Sequence, residues 1–466
     1  MLSHLTLKTL VSALIITAIS AMSLPALAVN DAMMDLLKIL RDKGSLTQVE
    51  YDLLRNAARA DKNKLVAANQ DIQKDLEKQI TTTTENLPKV TLKGKFKIES
   101  QDGAHSFQPI GRVFWDTVRV DDDGNPDEHS GSELRRARFG FRAQFYKNWQ
   151  AKLEYDFAGS DADLKDGWIS YNNNIAGGNS YNLKLGQHHV PFGFNTISSS
   201  KYMSFLRRPL FADGPLSPAR QYGAALRMDG ERWLVHAGVF LKTPEDGEVN
   251  IDDDAEDETT FAIRIAGTPL MTDKQHLLHV GVSYMYIQPH GDAVSVEQRI
   301  VSHVSDDKAL SANFGTDVDD ISAFDLEALA VWGPFHALGE FVYWDVDDAT
   351  TDANLSAWSL EAGWFLTGES MKYKKGQFSG ISPNKPFMQG GLGAWQLVAR
   401  FENMNLNDGA MVGGNADVFT AGLNWYPVYN IRFMANYAQV LDFKRAGDAA
   451  DGAEPAAFSL RSQVYW

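Results

Sequence analysis

The chain has 466 residues, with 44 lysines and arginines against 60 aspartates and glutamates, and its formal net charge is −16. This acidic balance argues against nucleic acid as the main partner, which would require a basic face. The absence of cysteine excludes a disulfide scaffold, a thiolate metal site and a cysteine nucleophile.

Residues 1–28 have the pattern of a secretory signal peptide. A charged start is followed by an apolar run over residues 10–24, and Ala26-Leu27-Ala28 is the small-x-small motif that signal peptidase cleaves. An uncleaved membrane anchor is the alternative, but the apolar run is short for that role. No later stretch approaches the ~20 consecutive apolar residues of a transmembrane helix. We therefore expect an exported chain that is either soluble or crosses a membrane as a closed β-barrel.

Residues 29–87 are predicted to form a helical segment followed by a linker. An amphipathic stretch ends at Gly44, and Thr47 with Glu50 makes the capping box of a second helix. The apolar positions along this second helix form an imperfect stripe: Leu53, Leu54, Leu65, Ile72, Leu76 and Ile80. Two interpretations stay open: a periplasmic coiled coil that helps the chain to trimerise, or a solvated helix that tethers the N-terminus.

From about residue 91 onwards the hydrophobic period changes from 3.6 to 2, which is typical of β-strands. Over residues 133–146 phenylalanine and alanine alternate with arginine, and over residues 149–157 apolar residues alternate with lysine and carboxylates. One face of each run is too regularly charged to be incidental, and aromatic residues gather at the strand ends. These features favour a transmembrane barrel over a soluble β-sandwich.

The connections between these runs alternate between short and long, as in an outer-membrane barrel with short periplasmic turns and long external loops. The short ones are Lys147-Asn148 and Pro427–Tyr429, and the long, polar ones are Asp121–Gly131, Thr243–Glu258 and Pro289–Asp320. We predict an all-β fold, a sixteen-stranded antiparallel transmembrane β-barrel over residues 88–466. Many of the acidic residues would then lie in loops outside the membrane.

Several motifs in the strand-rich part carry a resemblance to a known family. They are Glu133-Leu134-Arg135-Arg136-Ala137-Arg138, Lys152-Leu153-Glu154-Tyr155-Asp156-Phe157-Ala158-Gly159, Leu185-Gly186-Gln187, Pro191-Phe192-Gly193, Phe365-Leu366-Thr367-Gly368-Glu369, Thr420-Ala421-Gly422-Leu423-Asn424-Trp425-Tyr426-Pro427 and Leu460-Arg461-Ser462-Gln463. Together they resemble the phosphate-selective porin O/P family. The resemblance implies a trimeric, sixteen-stranded channel in the outer membrane of a Gram-negative bacterium, which favours phosphate or other anions.

The alternation also predicts which basic residues line the lumen, if the aromatic residues face lipid. The pore-lining candidates on strands are Arg112, Arg136, Arg138, Arg142, Lys152, Lys184, Arg227, Arg264, Arg400, Arg432 and Arg461. Acidic residues on the same faces are fewer: Asp116, Glu154, Asp156, Glu361 and Glu402. A basic lining selects anions because its field replaces lost hydration, and the guanidinium fork suits phosphate. Alternatively, single arginines pair with these acids and only shape the wall.

A long segment between the fifth and sixth strands, about His189 to Arg220, is unlike the other loops. The resemblance implies that the loop at this position folds into the pore and narrows it. Lys201, Arg207, Arg208 and Arg220, with the serine run 198–200, are therefore candidates for the constriction. An ordinary ordered loop is the alternative.

We expect a porin for phosphate or polyphosphate, with no enzymatic activity, no cofactor and no metal site. The chain contains no Walker phosphate loop, no G-x-S-x-G motif and no H-E-x-x-H motif. The alternatives are a porin of the same fold for another anion or for solutes generally, a surface receptor or adhesin that uses the acidic loops, and an outer-membrane phospholipase. The expected partners are small anions, outer-membrane lipid, lipopolysaccharide and further copies of the chain in a homotrimer, but not nucleic acid.

Overall fold

The computed structural model describes residues 32–85, 87–92, 94–123, 128–212, 214, 216–241, 258–291, 293–304, 308–316, 318–349 and 352–466. The signal peptide predicted for residues 1–28 lies outside the described residues, and so does most of the acidic loop 243–258. The chain divides into two compact units, residues 1–106 and residues 107–466.

The first unit is mainly helical. It contains helix α1 (residues 32–42), helix α2 (Gln48–Glu85) and the short antiparallel strands β1 (Lys89–Thr91) and β2 (Lys97–Glu99). The amide and the hydroxyl of Thr47 donate to the Glu50 carboxylate at 2.8 and 2.7 Å, and the Glu50 amide donates back to the hydroxyl at 3.3 Å. The predicted capping box is therefore present, and these bonds lower the pKa of the Glu50 carboxyl. No described helix has a stretch long and apolar enough to span a membrane.

The second unit is a barrel. Sixteen strands of its described residues form one closed antiparallel sheet, which confirms the predicted fold, and the last strand pairs with the first from Arg112–Tyr465 to Asp121–Ala456. In chain order the strands are β3 (Ser106–Asp121), β4 (Gly131–Phe145), β5 (Trp149–Asp156), β6 (Asp163–Ile175), β7 (Asn179–His189), β8 (Arg220–Asp229), β9 (Trp233–Leu241), β10 (Thr259–Asp273), β11 (His276–Gln288), the separate hairpin of β12 (Val294–Gln298) and β13 (Leu310–Gly315), β14 (Val318–Trp332), β15 (Phe335–Asp348), β16 (Ala353–Phe365), the separate hairpin of β17 (Lys372–Lys374) and β18 (Gln377–Ser379), β19 (Ala394–Asp408), β20 (Met411–Val428), β21 (Ile431–Lys444) and β22 (Ala456–Tyr465).

Alternate side chains of each barrel strand face opposite sides of the wall. On β22 Phe458 and Leu460 are exposed on the outer face, whereas Arg461 is buried on the lumen face. On β4 the alternation shifts by one residue. Leu134 and Phe139 would lie on opposite faces in a strictly alternating strand, but both are exposed on the outer face. The shift turns Arg135 towards the lumen, a position that strict alternation does not predict.

Three segments fill part of the barrel interior. The inward loop (described residues of 190–219, with the short helix α3, Phe194–Ile197) and the lumen hairpin (described residues of 289–317, with β12 and β13) join strands at the end of the barrel where the chain makes its longer loops, which we expect to be the extracellular end. The periplasmic connection (residues 366–393, with β17 and β18) is the long exception among the short turns at the other end.

The lumen hairpin corrects one expectation from the sequence. The sequence predicts that Pro289–Asp320 is a polar loop outside the membrane, but Val296, Ile300 and Leu310 are buried in one apolar cluster with Trp344 of β15. The segment carries a short apolar alternation of its own, so that folding back into the barrel removes these side chains from water. The lumen faces of the late strands, β14 to β22, pack largely against such inserted segments.

Candidate functional site

A polar cavity of about 830 Å³ lies in the lumen beside strands β3 to β10. Eleven of the fifteen pore-lining and constriction candidates border it: Arg112, Arg136, Arg138, Arg142, Lys152, Lys184, Lys201, Arg208, Arg220, Arg227 and Arg264. Of the described residues, fifteen lysines and arginines line this cavity but only three carboxylates, those of Asp156, Asp163 and Asp166. The structure thus gathers most of the candidates on one side of the lumen.

Several of these cations form ion pairs within the wall. Arg112 donates to Glu154 at 2.7 Å, and the Lys152 ammonium lies 2.6 Å from both Glu154 and Asp166. All four side chains are buried, so that their charges are largely neutralised by one another. Further pairs along the same wall are Arg138–Asp156 at 2.7 Å, Arg220–Asp166 at 3.4 Å, Arg227–Asp229 at 3.1 Å and Arg264–Glu327. These are the ion pairs that the wall-shaping interpretation expects, and the part that each of these cations has in conduction stays a prediction.

Three cavity-lining cations of the barrel strands and the inward loop lack an acidic partner among the described residues. Arg142, Lys184 and Lys201 form no ion pair with any carboxylate of the described residues. The Lys184 ammonium lies 4.6 Å from the ring centre of Trp168, and that of Lys201 lies 5.4 Å from the ring centre of Tyr465. A cation–π contact leaves the positive charge uncompensated. The cavity therefore keeps an excess of positive charge.

The inward loop is held by Glu340 of β15, which the sequence analysis did not single out. One carboxylate oxygen accepts the Phe194 amide at 2.7 Å, and the other accepts the amide and the side-chain nitrogen of Asn195 at 3.1 and 2.8 Å. Gly193 has φ of +68°, and a Cβ atom there would lie 2.7 Å from Glu340 Oε1. The glycine of the Pro191-Phe192-Gly193 motif thus allows the close approach of loop and wall.

A second carboxylate, Glu402 of β19, holds the other half of the loop. It accepts the Leu210 amide at 2.9 Å, Arg207 at 2.6 Å and Arg400 at 3.0 Å, and it is fully buried. Arg207 and Arg400 therefore border a narrow crevice between loop and wall and not the main cavity. Arg208 borders the main cavity, but its guanidinium group donates to the Ser198 carbonyl within the loop at 2.9 and 3.0 Å.

Other polar side chains of the late strands complete the attachment. Arg432 is buried under the loop, where it donates to the Met203 carbonyl and, at 2.8 Å, to Gln463. The further bonds between wall side chains and loop backbone are Asn424 to the Ser204 carbonyl at 2.8 Å, the Leu206 amide to Asn436 at 2.9 Å and Gln463 to the Lys201 carbonyl at 3.1 Å. Polar residues on lumen faces thus have two roles: those of the early strands line the cavity, and those of the late strands bind the inward loop.

Four cavity-lining cations were missed in the sequence. Strict alternation does not predict Arg135 because of the phase shift in β4, and it does not predict Lys165 because β6 has no regular apolar alternation. Lys374 and Lys375 come from the periplasmic connection, where no strand period places a side chain. Lys375 pairs with Asp229, and the Phe378 ring lies 4.8 Å from that of Phe194 in α3. The periplasmic connection therefore reaches the inward loop inside the lumen.

Comparison with known proteins gives concordant results. A family profile described as "Phosphate-selective porin O and P" matches residues 107–466. Porin O of Pseudomonas aeruginosa is 25% identical over 403 residues, which covers 78% of this chain and 89% of that protein. An uncharacterised protein of Caulobacter vibrioides is 27% identical over 381 residues, which covers 78% of this chain and 73% of that protein.

The fold resembles that of solved outer-membrane proteins. A loop deletion mutant of OmpT, an outer membrane protein of Vibrio cholerae, superposes with a TM-score of 0.51 at 13% identity. The superposition covers 78% of this chain and all of that one. At this identity the likeness concerns the fold alone.

Proposed function

Because this chain belongs to the phosphate-selective porin O and P family, and is thus an outer-membrane porin, we propose that its lumen favours small anions, and phosphate above the others. The family and the fold are those of channels and not of enzymes. The observation that supports anion preference is the basic lining of the cavity, in which Arg142, Lys184 and Lys201 carry positive charge that no ion pair with a described carboxylate offsets.

The three cations of the barrel strands and the inward loop that have no described acidic partner contribute most to this preference. Arg142, Lys184 and Lys201 present N–H donors and net positive charge to a solute that has lost part of its hydration shell. A phosphate oxygen can accept several such donors at once, and charge-assisted bonds of this kind are about twice as strong as neutral ones. The net charge of −16 does not oppose this, because the charge of external loops is screened over ~8 Å at physiological salt.

Planar-bilayer recording tests the proposal in two steps. Under a KCl gradient the reversal potential is expected to show that chloride permeates better than potassium, and a preference for potassium would overturn the proposal. Added phosphate is then expected to block the chloride current at low millimolar concentration. A current that phosphate does not block, in a channel that still prefers chloride, would assign the pore to another anion.

We further propose that the mature chain begins after Ala28, that residues 29–87 lie in the periplasm, and that three copies assemble in the outer membrane beside phospholipid and lipopolysaccharide. The exposed side chains of Leu53, Leu65 and Ile72 on α2 support a role of this helix in assembly. N-terminal sequencing of the exported protein tests the cleavage site. Cross-linking of the full chain, compared with a Leu65→Asn, Ile72→Asn variant, tests the coiled coil.

A further inference from the structure

The periplasmic connection has two parts that lie on opposite sides of the barrel wall. Its hairpin, β17 and β18, lies in the lumen and supplies Lys374 and Lys375 to the cavity. Its last residues, 386–393, lie instead against outward-facing side chains of β19 and β20. The Leu392 carbonyl accepts the indole N–H groups of both Trp395 and Trp425, at 3.1 and 2.9 Å.

These tryptophans belong to an aromatic cluster on the outer face at the periplasmic end. The rings of Trp395 and Trp425 stack at 5.6 Å, those of Trp425 and Phe433 stack at 5.5 Å, and the Phe387 ring packs edge-on against Trp425 at 5.7 Å. Leu397 and Leu423 follow on the same outer face and are exposed, as lipid-facing positions are. The cluster has the composition and the position of the aromatic girdle of an outer-membrane barrel.

The same segment exposes large apolar side chains next to the girdle. Phe387, Met388 and Leu392 are 53%, 82% and 72% exposed, and Lys385 precedes them in the chain. Contiguous apolar surface of this kind is rare where a protein faces only water. An apolar group continuous with an aromatic girdle and flanked by a cation matches the chemistry of the lipid headgroup boundary.

We propose that residues 385–392 form a lipid contact at the periplasmic leaflet of the membrane. Phe387, Met388 and Leu392 enter the boundary between headgroups and acyl chains, and Lys385 lies at the depth of the phospholipid phosphates. Because the indole groups bind the Leu392 carbonyl, the segment is fixed at girdle depth. The connection that carries Lys374 and Lys375 into the pore is therefore attached to the bilayer at its other end, whichever solute the pore conducts.

Site-directed labelling tests this contact, since the chain contains no cysteine and any introduced thiol is unique. Met388→Cys is labelled with a polarity-sensitive fluorophore, and the full-length protein is reconstituted in phosphatidylethanolamine and phosphatidylglycerol vesicles with acyl chains spin-labelled near the headgroup. Leu423→Cys on the outer wall is the lipid-facing control, and Lys374→Cys in the lumen is the water-facing control. Leu392→Cys provides a second position in case labelling at 388 perturbs the segment.

The emission of the Met388→Cys label is expected to shift to the blue. The spin-labelled lipid is expected to quench a fraction of this emission comparable to the fraction that it quenches for the Leu423→Cys label. A label that behaves like the one at Lys374, quenched by aqueous iodide but not by lipid, would overturn the proposal. A label shielded from both quenchers would also overturn it, because it would show that a second copy of the chain, and not lipid, covers the segment.

Discussion

Replacing Glu402 by glutamine distinguishes two roles that an acid can have in a basic pore. If Glu402 acted only through its charge, its neutralisation would make the lumen more positive and raise anion selectivity. The structure predicts the opposite, because Glu402 holds the inward loop through the Leu210 amide and through Arg207. A loop that leaves its place widens the passage and separates the permeating ion from the basic lining, so that anion selectivity falls.

The size of the effect follows from the bonds at Glu402. An amide has only one acceptor oxygen, so either the Leu210 N–H or the guanidinium groups of Arg207 and Arg400 lose their partner. A hydrogen bond to a charged group contributes about 1.5–3 kcal/mol, and an arginine left unpaired in a buried site costs 3–5 kcal/mol. A loss of about 3 kcal/mol raises the ratio of displaced to attached loop about 100-fold.

Single-channel recording shows such a change as flickering between conductance levels, and the reversal potential reports the selectivity. Asp116→Asn is the matched control, because Asp116 is also a buried lumen acid paired with an arginine, Arg461, at 2.6 Å, but makes no described hydrogen bond to the inward loop. For the control variant we expect single-channel currents without flickering and an anion selectivity that does not decrease. Single-channel currents without flickering, together with increased anion selectivity, in the Glu402→Gln variant would refute the conclusion that Glu402 holds the inward loop in place.

Three further predictions concern other parts of the chain. Lys184→Gln and Lys201→Gln should each lower the anion-to-cation permeability ratio about fivefold, because a unit charge 4 Å from an ion contributes about 1 kcal/mol even in water. Reversal potentials that stay unchanged in dilute salt would contradict the proposal that the basic lining selects anions. Gly193→Ala should lower the temperature at which the barrel unfolds on semi-native gels, and by more than Gly368→Ala does. Gly368 is the control because it has a similar positive φ but no atom within 4 Å of the added Cβ. Equal shifts in the two variants would show that the contact with Glu340 is unimportant. Because the Thr47 bonds lower the pKa of Glu50, the contribution of this cap is complete above the ordinary glutamate pKa and is lost as the pH falls through the lowered value. Amide exchange at the start of α2 should accelerate in that acidic range, and the Glu50→Gln variant should lack this pH dependence.

The barrel could be predicted from the sequence because a period of two is a local property. Arg138 and Lys152 lie on the lumen face as the alternation indicates, and eleven candidates border one cavity. Their roles in conduction stay predictions. Partners across the lumen could not be predicted, because Arg207 and Glu402 are 195 residues apart and no local pattern connects them. The same applies to Glu340, whose contacts with Phe194 and Asn195 depend on how a loop returns to a distant strand.

The two roles of the lumen face divide the barrel into a cavity-lining arc, over β3 to β10, and a bracing arc, over β14 to β22. Most cations that line the cavity lie between positions 112 and 264, and the wall residues that hold the inward loop lie mostly beyond position 324. If the cavity-lining side chains set solute preference, as we propose, then substitutions confined to the lumen faces of β3 to β10 would change that preference and leave the attachment of the inward loop to the opposite wall intact.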